Sequence, residues 1–485
     1  MVFNSYLFVL FFLPFTWCGY TFALLKLRKT DIAKIFLIIC SFGFYGYNNK
    51  MHIFILLFSI IFNYLFATKV LGARRSAWIL WVGIITNISL LGYFKYLNFG
   101  IEIINNVFKF SWQELDIIMP LGISFFTFQQ IAFLIGVYQK KIQNVKFINY
   151  CLFVSFFPQL IAGPIVSYDE VVCQLDEDDK KKINWDSLAK GIYIFIYGLA
   201  KKVLLADNLA IIVDSGYSNL QQLNMISVCI IMISYSLQIY FDFSGYCDMA
   251  VGLAEMFNIT LPINFNSPYK AKSIQEFWRR WHITLTRFLT EYIYIPLGGS
   301  RVEKNKVWRN ILIVFFVSGI WHGANWTYIL WGILHGILLV IDKISGKIQL
   351  KIPVCIRWGI TFITVTLLWS LFRADTISDE MQLLSQCLIW GDGKITQALK
   401  NSLYGITFVK GLMQLPINNL IDDNITIIVC VVLIILIMIC KYTRNIIERT
   451  ETIRYSVVSS LFTAFLFMYC VISFAGMSKF IYFNF

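Results

Sequence analysis

The chain has 485 residues, of which 58% are hydrophobic and only 14% charged. A soluble domain carries about 25% charged residues, so this deficit, with a mean hydropathy of +0.67, excludes an ordinary soluble enzyme and indicates a polytopic membrane protein. The net charge of +13 argues for no nucleic-acid partner, because the basic residues stand in short clusters between apolar runs, as the positive-inside rule requires.

Apolar segments able to span occur near 3–25, 32–47, 51–71, 77–97, 117–138 and 187–205, then near 225–245, 310–341, 355–372, 425–441 and 455–476. A spanning helix needs about 20 residues; segment 32–47 is short and can be partly re-entrant. No basic stretch precedes the first apolar run, and Arg28 and Lys29 follow it. This is expected of a retained first span rather than a cleaved signal peptide. Placing the clusters at Lys26–Lys34, Lys69–Arg75, Lys140–Lys146, Lys343–Arg357 and Lys441–Arg454 in the cytoplasm puts the N-terminus outside. It also requires segment 310–341 to return to the side it entered from, and leaves Lys201 and Lys202 as exceptions.

Within 147–168, the run Phe157-Pro158-Gln159 through Gly163-Pro164 interrupts any helix and predicts a broken or re-entrant element. Residues 176–182, which mix acids and lysines, read as a solvated turn. The stretch 375–424 has ordinary polarity and a turn at Gly391-Asp392-Gly393, and is expected to be an outer-face loop with short helices. The expected organisation is a single integral-membrane domain, 1–485, with core motifs over 117–345 and C-terminal spans with the outer loop over 353–485.

Three of the four histidines fall between Ser273 and Gly336. Ser273-Ile-Gln-Glu276 has the form of a capping box, and Ile274, Trp278, Trp281, Leu285, Phe288 and Tyr292 then recur as one apolar stripe. The spacing predicts a single amphipathic helix over 273–292, with His282 at the stripe's edge beside a polar cavity mouth or satisfied by a neighbouring carbonyl. From Asn310 to Ile341 there is no Asp, Glu, Lys or Arg. As one straight helix this run would be roughly 48 Å long, more than the ~30 Å hydrocarbon core, so it tilts or breaks, most readily at Gly323-Ala324-Asn325. Either solution leaves His322 deep in the run, where burial favours the neutral imidazole that can accept a proton from a hydroxyl. His335 lies about 220° away around an ideal helix and reads as structural. Asp242 and Asp248 close an apolar run. They are read either as structural partners of Arg279 or Arg280, or as orienting a catalytic imidazole. Eleven cysteines with no Cys-x-x-Cys pair give no zinc or disulfide framework, and no metal site is expected.

An ordered set of motifs resembles the membrane-bound O-acyltransferase family, specifically its bacterial branch typified by the alginate O-acetylation membrane protein. The set comprises Phe44-Tyr45-Gly46-Tyr47, Pro120 through Phe125, Phe157-Pro158-Gln159 with Gly163-Pro164, Tyr240 through Tyr246, Asn264 through Tyr269 and Glu276 through His282. Pro296 through Gly299, Trp321-His322-Gly323-Ala324, Trp331-Gly332, Phe372-Arg373-Ala374 and the ending Phe480–Phe485 complete it. Thr290-Glu291 departs from the Arg-Asp common in relatives, which affects local ion pairing but neither histidine motif.

The resemblance implies an all-α fold of about 11–12 transmembrane helices, with re-entrant and interfacial helices around a channel. It implies His322 as the essential histidine and His282 as a second one. Trp278, Arg279, Arg280, Trp321, Asn325 and Asp242 become candidates for the substrate or donor path. The expected activity is transfer of an acetyl group from a cytoplasmic donor, acetyl-CoA, to an extracytoplasmic polysaccharide, with no bound cofactor. The expected setting is the cytoplasmic membrane, among its lipids and beside a partner acyltransferase at the outer face. D-alanyl transfer toward teichoic acid is the alternative within the family; a proton-coupled transporter, which predicts repeated halves not seen here, is the alternative outside it.

Overall fold

The computed structural model describes residues 1–26, 30–72, 77–176, 183–345, 352–414, 418–450, 456–476 and 481. Among these every regular element is helical. Seven helices are long and apolar enough to cross a membrane, and Ile123–Tyr138 and Val457–Ile472 are shorter apolar helices. The chain is thus an all-α, multi-pass membrane protein. Arg28, Lys29, Arg74, Arg75, Lys347, Lys351 and Arg454, the charged run 177–182 and most of the 480–485 ending lie outside the described residues.

The chain forms two compact units. The first comprises Met1–Leu199, Tyr246–Ile263 and Arg454–Phe474. In it, side chains from Met51–Gly72, Ala77–Leu91 and Ile123–Tyr138 share a buried polar seam. Asn87 Nδ2 donates to Asn63 Oδ1 at 2.6 Å, Asn63 Nδ2 to Asn87 Oδ1 at 3.1 Å and Ser59 Oγ to Gln130 Oε1 at 3.0 Å. Between helices in hydrocarbon such amides substitute for the missing hydrophobic driving force. The expected interruption near 157 is present: Phe147–Ser155 ends at Phe156 (ψ 109°), and a separate turn Phe157–Leu160 follows.

The second unit comprises Ala200–Gly245, Asn264–Ile453 and Ala475–Phe485. The helix Met225–Met256 runs well beyond the expected 225–245 and is buried on nearly all sides. Asp242 does not end it, because Lys202 Nζ lies 2.6 Å from Asp242 Oδ1 and 2.8 Å from Asp207 Oδ1. Asp242 thus pairs with a basic residue, as one of the two expectations had it, but the counter-ion is Lys202 rather than Arg279 or Arg280. The same contact removes Lys202 as a topological exception, since a buried, neutralised amine does not report which side a loop faces.

The uncharged run breaks where expected. Lys304–His322 ends at an extended Gly323 (φ −168°) and Trp326–Ser345 begins three residues later. The two pack as an antiparallel hairpin. A Cβ on Gly319 would lie 2.4 Å from Tyr328 O, one on Gly332 2.4 Å from Phe315 O, and Gly336 meets Leu312. Small residues here let the backbones touch, the usual device of membrane helix pairs. The expected short helices are Ile377–Gln386, Gln397–Leu403, Thr407–Leu412 and Asn418–Asp423, the first capped by a Thr376–Asp379 box.

Candidate active site

The expected single helix over 273–292 is two helices. Ile274–Trp278 starts at Ser273, whose side chain accepts from Glu276 N. The Glu276 carboxylate bonds Lys272 N instead of closing the box on Ser273. The chain then turns, and Ile283–Leu289 restarts after His282, which adopts the left-handed conformation at φ 45°. A non-glycine residue there costs about 1–2 kcal/mol and persists only when its surroundings hold it. They do so from residues 264–266: Asn266 N donates to Arg280 O and Ile283 N to Asn264 O, each at 2.9 Å.

Asn264 is the residue that the sequence reading missed. Its Oδ1 accepts from Thr284 N at 3.2 Å and Thr284 Oγ1 at 2.9 Å, and lies 3.1 Å from His282 Nδ1. A backbone N–H can only donate, so this atom is the amide oxygen and His282 Nδ1 carries the proton. The lone pair of neutral His282 is then on Nε2. His282 is fully buried rather than at a cavity edge, and burial pushes its imidazole down to about 3. The Asn264–Tyr269 stretch stood out only as a turn-rich connector and family motif, which does not distinguish a loop amide from a ligand to an imidazole.

His322 is 2% exposed at the end of its helix. Its ring lies 5.0 Å from Trp321, 5.1 Å from Trp331, 5.2 Å from Phe372 and 6.5 Å from His282, centroid to centroid. Trp321 also stands 6.0 Å from His282, so the two histidines and this indole share one aromatic enclosure. Trp331 and Phe372, legible only as motif residues, are part of its wall. His335 has a structural partner: Trp278 Nε1 donates to its Nδ1 at 3.3 Å.

The other candidates separate. Asn325 caps the returning helix, its Oδ1 accepting from Thr327 N at 3.0 Å and its Nδ2 donating to Asp375 O at 2.7 Å. Arg280 is tied to Glu276 at 3.0 Å and to Asn266 O at 3.1 Å, bracing the turn. Asp242 is held by Lys202 and by Ile481 N at 2.9 Å, and Asn264 lies within hydrogen-bond distance of His282. Trp278 and Arg279 line a cavity of about 390 Å³.

A buried imidazole walled by aromatics and beside a second imidazole of fixed tautomer is suited to taking a proton from a hydroxyl. The sequence profile of the membrane-bound O-acyltransferase family matches residues 106–374, a span holding both histidines and the whole enclosure. The chain belongs to the membrane-bound O-acyltransferase family. It is similar along its whole length to the peptidoglycan O-acetyltransferase of Helicobacter pylori, with 38% identity over 100% of this chain and 98% of that protein. It is 35% identical to the probable alginate O-acetylase AlgI of Pseudomonas aeruginosa over 84% of this chain and 78% of that one. The teichoic acid D-alanyltransferase of Bacillus subtilis is 26% identical over 48% of this chain and 61% of its own. Membership makes this membrane-bound O-acyltransferase an enzyme rather than the proton-coupled transporter considered as the alternative.

Proposed function

We propose that the chain transfers acetyl groups from cytoplasmic acetyl-CoA to hydroxyls destined for an extracytoplasmic polysaccharide, working in the cytoplasmic membrane with a partner acyltransferase at its outer face. The observation that carries the reading is the whole-length similarity to an enzyme named for peptidoglycan O-acetylation, with both histidines in one enclosure. Peptidoglycan is the first acceptor to test.

In the reaction, Nε2 or Nδ1 of neutral His322 accepts the hydroxyl proton as the hydroxyl oxygen attacks the thioester carbonyl. The C–O bond forms, the tetrahedral intermediate collapses, the C–S bond breaks, and the leaving thiolate takes the proton from the imidazolium. His282, kept neutral by burial and with its proton held on Nδ1 by Asn264, carries its lone pair on Nε2. The acceptor hydroxyl belongs to the glycan itself or to the partner acyltransferase, which then passes the acetyl on.

Mild alkaline treatment of envelopes from a deletion strain carrying the gene on a plasmid tests the acyl group. Acetate released in proportion to expression supports the proposal. D-alanine in its place would assign the chain to the alternative represented by the D-alanyltransferases, which match only about half of it.

A further inference from the structure

The cavity beside Trp278 is formed by Ile283–Leu289, Lys304–His322 and Trp326–Ser345 and has a volume of about 390 Å³. Its walls are apolar, with Leu285, Leu289, Ile311 and Phe315 among them, whereas Arg279 and Lys343 supply its only charges among the described residues. Among the described residues no carboxylate lines it. Asp342, the acid adjacent in sequence, accepts from Gln275 N at 2.8 Å and so caps the Ile274–Trp278 helix. The same two hairpin helices present exposed apolar side chains: Leu312 and Phe316 at 36% and 42%, Ile337 and Ile341 at 41% and 53%. In a membrane protein such faces meet hydrocarbon, so a cavity on these helices is accessible from lipid.

We propose that this cavity is a binding site for an anionic phospholipid, with its phosphate between Arg279 and Lys343 and an acyl chain against Leu289 and Phe315. Two features favour a lipid over a soluble phosphate compound. The helices that wall the cavity carry exposed apolar side chains, and basic residues near a membrane surface attract anionic headgroups. The site has a route to the reaction centre. Trp278 forms its wall and donates to His335, whose ring is 4.8 Å from Trp331, and Trp331 is 5.1 Å from His322. An acyl chain packed on Trp278 therefore braces the indole–imidazole array behind His322. Lipid binding itself is independent of the transfer reaction; only this bracing effect rests on the proposed role of His322.

The test uses the purified full chain in a neutral detergent, titrated with phosphatidylglycerol or with phosphatidylcholine of the same acyl chains, and read by native mass spectrometry and thermal melting. The expected result is retained phosphatidylglycerol and a melting shift larger than that from phosphatidylcholine. Arg279→Gln with Lys343→Gln should lower phosphatidylglycerol affinity roughly tenfold or more while leaving phosphatidylcholine binding unchanged. The charge-retaining Arg279→Lys should keep the preference. An unchanged preference in the double variant, or no preference in the wild type, overturns the proposal. Displacement of bound phosphatidylglycerol by acetyl-CoA would assign the cavity to the soluble donor and overturn it as well.

Discussion

The imidazoles of His282 and His322 meet edge-on, with ring centroids 6.5 Å apart and planes at 61°, although one sits in a strained turn and the other at a helix end. The connector before the turn fixes the first of them. Asn264 holds His282 by its side chain, and its carbonyl holds the restart of the helix at Ile283.

Asn264→Ala therefore removes the acceptor shared by His282 Nδ1, Thr284 N and Thr284 Oγ1. Losing a buried hydrogen-bond acceptor of this kind costs about 1–3 kcal/mol. The expected outcome is a lower melting temperature of the purified protein and acetylation reduced more than its abundance. Equal melting and equal acetylation would remove Asn264 from the site.

Lys202→Met leaves Asp242 and Asp207 buried without their shared cation. Removing one partner of a buried ion pair costs about 3–5 kcal/mol. Membranes should contain little intact protein, and a second change, Asp242→Asn, should recover part of it because only one charge then lacks its counter-ion. Abundance of the single variant equal to wild type would show that the network is dispensable.

The hairpin carrying His322 depends on backbone contact at Gly319 and Gly332, where any Cβ would meet a carbonyl oxygen at 2.4 Å. Gly332→Val forces the helices apart, and overpacking of this kind costs roughly 1–3 kcal/mol or more. Limited proteolysis should cut the variant within the hairpin under conditions that spare the wild type.

A pH dependence follows from Glu380, outside the candidate spans. Burial pushes its carboxyl up from the ordinary 4.5 to about 7, opposed by the bond from Ser370 Oγ, which donates to Oε1 at 2.7 Å. The folded state thus binds a proton that the unfolded chain has lost, so stability is fully present below pH 4.5 and declines as pH rises through 7. The melting temperature should fall between pH 5 and pH 8 by an increment that Glu380→Gln abolishes. An unchanged pH profile in Glu380→Gln would contradict this assignment.

The sequence was informative where one strong physical constraint acted alone. The uncharged run from Asn310 is too long for one span, and its break and reversal at Gly323 follow from that length and from the flanking charges. Residues 273–292 misled because the apolar stripe is real, with Trp278 and Trp281 both buried, while helical periodicity carries no sign of a turn imposed from outside. That turn is made by residues 264–266, and hydrogen bonds between non-adjacent loops leave no periodic trace. Asp242 shows the same limit, since its counter-ion Lys202 precedes it by more than one element and both lie in runs that read as apolar.

The central claim is that His322 performs the proton transfer. Its most direct measurement is alkali-releasable acetate from the envelope of a deletion strain expressing His322→Ala, with membrane abundance of the variant matched to wild type. The expected result is acetate at the level of the empty vector. Wild-type acetate at matched abundance would contradict it.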